Sequence, residues 1–187
     1  MVWTAWLQKK IIKIKDFAKN VIKDKKKETS YQLDTNNLYK RFYNGLLGEA
    51  AVEEYLGVEF IDWSIGHSRL YNRADLQDIG LNIGVKSVEN NKFPLVKKKP
   101  MRGEIINIIM NDNTVMICGY ASVFDLLVFS SDKYVLSSSV IKKGVKTAFF
   151  GLDKLQEFDC IETLKEIDDH YFTNLYQTKK IGEWYNE

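Results

Sequence analysis

The stretch Ala74-Asp75-Leu76-Gln77-Asp78-Ile79-Gly80-Leu81-Asn82-Ile83-Gly84-Val85-Lys86-Ser87 mixes carboxylates with aliphatic residues and sets a lysine inside an apolar run. Leu70–Ile79 and Leu81–Val88 read as two extended segments with Gly80 at the turn between them. The pattern predicts a hairpin carrying Asp75 on its first strand and Lys86 on its second. Side chains alternate along a strand, so Gly84, Lys86 and Val88 share one face and Ile83, Val85 and Ser87 the other. By the same alternation Gln77 shares the face of Asp75, while Asp78 lies opposite. Asp75 and Asp78 also suit plain turn residues ahead of Gly80. A lysine in so apolar a strand either snorkels to water or points into a polar site that uses its charge. An edge lysine that blocks aggregation has the same appearance.

Upstream, Leu38, Phe42, Leu46, Ala50 and Leu56 follow helical spacing, with Asn36 or Asn37 as a cap and Gly57 as a stop. Within that helix, Gly45-Leu46-Leu47-Gly48-Glu49-Ala50-Ala51-Val52 sets Glu49 among small and apolar neighbours. It also reads as a solvated helix residue pairing with a neighbour. Val58–Trp63 suits a strand. Downstream, Pro94, Lys97-Lys98-Lys99 and Pro100 mark a loop. For residues 101–112, Pro100 and the spacing of Met101, Ile105, Ile108 and Ile109 favour a helix over a strand. Val115–Ala121 is expected as a buried strand, Val123–Phe129 as a short helix or strand, and Lys133–Val140 as a strand. Thr147–Phe150 leads into a short helix at 152–158, and Ile161–Tyr176 has helical spacing.

The chain has 187 residues, 45% of them hydrophobic and 28% charged, the composition of one folded domain with a core. No apolar run is long enough for a membrane-spanning helix. Two cysteines make no disulfide framework, and a cytoplasmic location is expected. The net charge of +2 conceals an asymmetry: residues 1–27 hold nine lysines against Asp16 and Asp24, or +7, leaving −5 on the other 160 residues. Residues 2–24 predict an amphipathic helix with Leu7, Ile11, Ile14, Ala18 and Val21 on one stripe. That stripe would pack within the chain or pair with a second copy in a homodimer. A membrane surface ranks below both. The opposite, lysine-rich face suits nucleic acid. The expected organisation is a basic helix at 1–27, a linker at 28–37 and an α/β domain at 38–187.

Common site types are missing: no glycine-rich phosphate loop, nucleophile elbow, HExxH or paired CxxC occurs. His67 and His170 are the only histidines, with His67 in a polar loop near the hairpin. Chemistry is left to carboxylates and lysines. In this respect the chain resembles the PD-(D/E)xK nuclease superfamily, the restriction-endonuclease-like enzymes. Gly45…Gly48-Glu49 looks like that family's glutamate-bearing helix, Asp75 like its strand aspartate, and Gly84-Val85-Lys86 like its acid-x-lysine triplet. The resemblance covers roughly residues 38–121 and implies an αβββαβ core with a mixed central sheet, preceded here by the basic helix.

The resemblance implies a Mg²⁺- or Mn²⁺-dependent endonuclease acting on DNA, structure-directed or weakly specific. Asp75 would be the main metal ligand, Glu49 a second, and Lys86 the lysine beside the attacking water. Gln77 would offer a neutral oxygen to the metal. Lys97, Lys98, Lys99 and Arg102 would contact the phosphate backbone. Small size, lysine richness and scarce proline suit a phage or mobile-element protein. Ala74 replaces the motif's proline, and Gly84 stands where the motif has its second acid. A substitute carboxylate would come from Asp62, Asp78, Glu89 or Glu104. The competing expectation is a catalytically inactive module on the same fold that binds nucleic acid or a protein partner.

Overall fold

The computed structural model describes residues 5–25, 35–64, 73–111 and 114–177. The loop holding His67, the hairpin's first residues at 70–72 and most of the 28–37 linker lie outside them. Two long helices, α1 (Ala5–Lys25) and α2 (Thr35–Leu56), precede β1 (Gly84–Glu89), β2 (Leu95–Lys97), β3 (Glu104–Asn111) and β4 (Thr114–Ala121). Then follow α3 (Val123–Val128), β5 (Ser130–Ser131), α4 (Ser138–Lys143), β6 (Lys146–Phe149) and α5 (Ile161–Gln177). The class is mixed α/β. One three-stranded sheet has the order β1-β3-β4, with β1 parallel to β3 and β4 antiparallel to it. A second, antiparallel sheet has the order β2-β6-β5.

The segment 101–112 is the main correction. Instead of a helix it contains β3, the central strand of the first sheet. Ile105 and Ile106 are both fully buried, but in different cores. Ile105 joins α1, α2 and α5, whereas Ile106 packs with Val96, Ala121, Leu126 and Phe149 under the second sheet. A strand covered on both faces has no polar side, so its isoleucines imitate helical spacing by chance.

Other expected strands are also replaced. Among the described residues Val58–Trp63 pairs with no strand; the backbone N–H groups of Phe60 and Ile61 donate to Glu53 Oε1 at 2.6 and 2.7 Å. Once a carboxylate satisfies those donors, a neighbouring strand is not needed. The first arm of the predicted hairpin is a turn leading into a short 3-10 helix at Gln77–Ile79. Leu76 N donates to Ile83 O and Leu81 N to Leu76 O, closing the loop on itself. Residues 95–97, expected as loop, form β2, and Lys133–Val140 is a 3-10 turn running towards α4. The expected helix at 152–158 shrinks to a single 3-10 turn at Leu152–Lys154. Helix α2 begins at Thr35, which puts Asn36 and Asn37 inside it rather than at its cap.

The basic helix joins the main core. Ile14, Ala18 and Val21 are buried, and Ile14 and Ala18 share one cluster with Leu46, Leu47 and Ile83. Lys10 pairs with the buried Glu53 at 2.7 Å, and Lys13 lies over the Trp63 ring at 3.9 Å. Lys9, Lys15, Lys19 and Lys23 remain exposed.

Candidate active site

Close packing of α2 on the first sheet brings the groups together. A side chain at Gly48 would collide with Ser87 of β1 and Asn107 of β3, whose Nδ2 donates to Gly48 O at 3.1 Å. Glycine at 48 therefore lets the helix approach, and Glu49 follows on the next residue. Asp75 sits at the open edge of β1, where its Oδ2 accepts from Val85 N at 2.6 Å. It reaches this place from the turn rather than from a paired strand. Lys86 projects from β1 towards Glu104 on the parallel neighbour β3, with Nζ 3.3 Å from Glu104 Oε2. The same Nζ donates to Val85 O at 3.3 Å.

Electrostatics ties these groups together. Burial, then the Asp75 carboxylate, pushes Glu49 up to about 8, against the pull of Lys86. Burial also raises Glu104, opposed by Lys86 and then aided by Asp75. Asp75 and Lys86 are thus felt from both sides, by Glu49 from the helix and by Glu104 from the sheet. Glu49 keeps part of its surface open, yet protein atoms surround it closely enough for desolvation to dominate.

Glu104 is the residue that the linear motif does not mark. Its register partner on β1 is Gly84. A Cβ built on Gly84 would fall inside the Glu104 carboxylate. An acid side chain on 84 and the Glu104 carboxylate would compete for one space, and glycine leaves it to Glu104. Glu104 is 8% exposed, and its buried Oε2 meets the Lys86 ammonium at 3.3 Å, an ion pair without good hydrogen-bond geometry. A buried carboxylate oxygen held by one loosely aligned ammonium keeps room for a stronger cationic partner.

The other three potential substitutes are engaged elsewhere. Asp62 accepts from Ser64 N at 2.8 Å, and Asp78 pairs with Arg73 at 2.8 Å. Glu89 pairs with Lys40 and Lys92 at the far end of β1, roughly 17 Å along the strand from Gly84. Gln77 is exposed and its Oε1 accepts from Arg73 Nε at 3.3 Å, so the turn carries it away from the face assigned to Asp75.

A cleft of about 180 Å³ adjoins Glu104, lined by Lys97, Arg102, Asn82, Pro100 and Met101 among others. Lys97 and Arg102 therefore stand beside the acid cluster. Lys98 pairs with Asp132 at 2.6 Å, and Lys99 is exposed. Lys146 of β6 and Arg41 of α2 add cations that sequence reading missed: Lys146, exposed by area yet crowded by protein atoms, is pulled down by desolvation and then by Lys86, Arg41 and Lys97. The place of Lys146 opposite Lys97 depends on the β2–β6 pairing, and residues 95–97 give no sign of that when read as a loop.

The donor set fits a hard divalent ion: carboxylate oxygens, one of them held only loosely by the Lys86 ammonium, beside an open cleft. Among the described residues no three His, Cys, Asp or Glu side chains close into a ready-made cage. Magnesium binds through one or two carboxylates with waters or substrate phosphates completing its shell. Among the described residues no helix is long and apolar enough to cross a membrane. Comparison with protein-family models, curated proteins and solved structures finds no match for the chain.

Proposed function

We propose that the chain is a divalent-metal-dependent nuclease with a restriction-endonuclease-like site, in which Glu104 replaces the acid missing at Gly84. The observation that carries this reading is the exchange between two parallel strands in register: glycine on β1, glutamate on β3, and one carboxylate in the space between them. The alternative of an inactive binding module draws its force from the absent acid, and Glu104 supports the nuclease reading by offering a carboxylate in that space.

Asp75 and Glu104 would hold a Mg²⁺ or Mn²⁺ ion, with Glu49 close enough to join directly or through water. Bound there, such an ion would polarise the phosphoryl group and activate a water at neutral pH. Lys86, 3.3 Å from Glu104, would stabilise charge developing on the phosphate. Glu49, pushed up to about 8, holds a proton at neutral pH and gives it up when a cation takes its place. DNA is the proposed substrate, its backbone running over Lys97 and Arg102.

The test is cleavage of supercoiled plasmid and branched DNA in Mg²⁺, Mn²⁺ or EDTA. Lys86→Ala and Glu104→Ala should each lose about 10²-fold or more of the metal-dependent rate while remaining folded. Adding Gly84→Asp to Glu104→Ala should restore part of it, because the new carboxylate enters the vacated space. DNA binding in EDTA without cutting in either metal would leave a binding module and end the nuclease reading.

A further inference from the structure

Most surface lysines in ion pairs face a carboxylate close in space on their own side of the molecule. Lys98 pairs with Asp132, Lys92 with Glu89, Lys19 with Asp16 and Lys154 with Asp153. Other exposed lysines, Lys99 and Lys142 among them, form no ion pair among the described residues; Lys97 and Lys146 differ from those in facing each other. They are direct cross-strand partners in the antiparallel β2–β6 pair, so their side chains leave the same face of the second sheet. Like charges placed opposite one another weaken a sheet. Among the described residues neither lysine forms an ion pair. Arg41 of α2 and Lys86 of β1 add to the same positive field at Lys146, and Glu104 opposes it there. Lys97 also lines the cleft that Glu104 borders.

From this geometry we infer that Lys97 and Lys146, backed by Arg41, form a phosphate clamp beside the acid cluster. The clamp grips a backbone phosphate next to the one that the acids and Lys86 address. An anion between the two ammonium groups would turn a repulsive strand pair into a bridged one, with each lysine as a mobile point charge. That the phosphate belongs to a nucleic acid rests on the nuclease reading; the anion site itself does not.

The experiment compares the full-length wild type with Lys97→Gln/Lys146→Gln, entirely in EDTA so that cleavage plays no part. In phosphate-free, low-salt buffer the double variant should melt at least as high as the wild type. Inorganic phosphate should raise the wild-type melting temperature and leave that of the variant unmoved. Affinity for a short DNA duplex should fall about tenfold, and the slope of log K against log salt should flatten by about one. A phosphate shift without any change in the DNA slope overturns the nucleic-acid assignment and leaves a site for free phosphate. Unchanged melting, affinity and slope overturn the clamp, whatever the cleavage assay shows. Absence of cleavage with these binding changes intact would remove the nuclease and keep the clamp.

Discussion

Glu49 and Glu53 lie one turn apart on α2, and the fold treats them in opposite ways. Glu53 is 4% exposed, but both of its oxygens are satisfied: Oε1 accepts from Phe60 N and Ile61 N, and Oε2 pairs with Lys10 at 2.7 Å. This carboxylate ties α1, α2 and the 58–63 segment into one unit. Glu49 has no such set of partners. It faces Asp75 and Lys86, and burial with the Asp75 charge drives it up to about 8. A buried charge whose valences are all met by backbone and counter-ion belongs to the architecture. One kept among other carboxylates, its charge disfavoured even with Lys86 nearby, suits the proposed role of taking up a cation or a proton.

The sharpest way to break this contrast is Glu53→Ala. Losing the partner of a buried ion pair, together with the acceptor for two backbone N–H groups, should destabilise the protein by about 3–5 kcal/mol. Urea unfolding measures it. A loss below about 1 kcal/mol would mean that water already serves those donors, and the distinction between the two glutamates would collapse.

Glu49→Gln should do the reverse. The folded state holds this proton up to about pH 8, whereas an unfolded glutamate releases it near 4.5. Between those values the native state binds the extra proton, so wild-type stability falls as pH rises. The glutamine variant escapes that penalty. It should gain on the order of 2–4 kcal/mol over wild type at pH 8 and almost nothing at pH 4. Divalent-ion affinity of the wild type should rise across the same window, with proton release, and the variant should lose that pH dependence. Parallel stability curves for the two proteins from pH 4 to 8 would show that Glu49 is solvated like any surface carboxylate.

How much of this could be read from the chain follows from where each signal lives. Helix α2, with Gly48-Glu49 inside it, and the lysine on β1 were legible because helical spacing and a charge within an apolar strand are local patterns. So was the joining of Asp75 and Lys86, although Asp75 arrives on a turn held by Val85 N rather than on a strand. The identity of the substitute acid was not legible. Glu104 lies 20 positions from Gly84, and only the parallel register of β1 with β3 sets them side by side. That register was hidden once 101–112 was read as a helix, and the error has a physical cause. A central strand buried on both faces loses the alternation by which strands are recognised. The partner of Glu53 was hidden for a similar reason: a carboxylate capping two backbone N–H groups seven and eight residues away leaves no spacing rule in the sequence.

Helix α1 carries the same contrast on its two sides, and its test has the smallest expected effect on stability. Its buried side holds Ile14, Ala18 and Val21 in the core and Lys10 on Glu53. Deleting the helix would therefore expose core and unpair a buried carboxylate, and any weakening of DNA binding would report unfolding. The exposed side can be changed alone. Lys9, Lys15, Lys19 and Lys23 fall within one arc of about 120° at helical spacing, and among the described residues their replacement breaks only the exposed Lys19–Asp16 ion pair. Replacing all four with glutamine should move stability by no more than about 0.5 kcal/mol per site, as surface changes do. If this arc lies on the DNA backbone, the salt slope should flatten by up to about four, one for each phosphate that a lysine no longer neutralises. A slope equal to wild type would remove α1 from the DNA interface and leave it the role its buried side already performs. It would then brace α2, and with it Glu49, against the sheet.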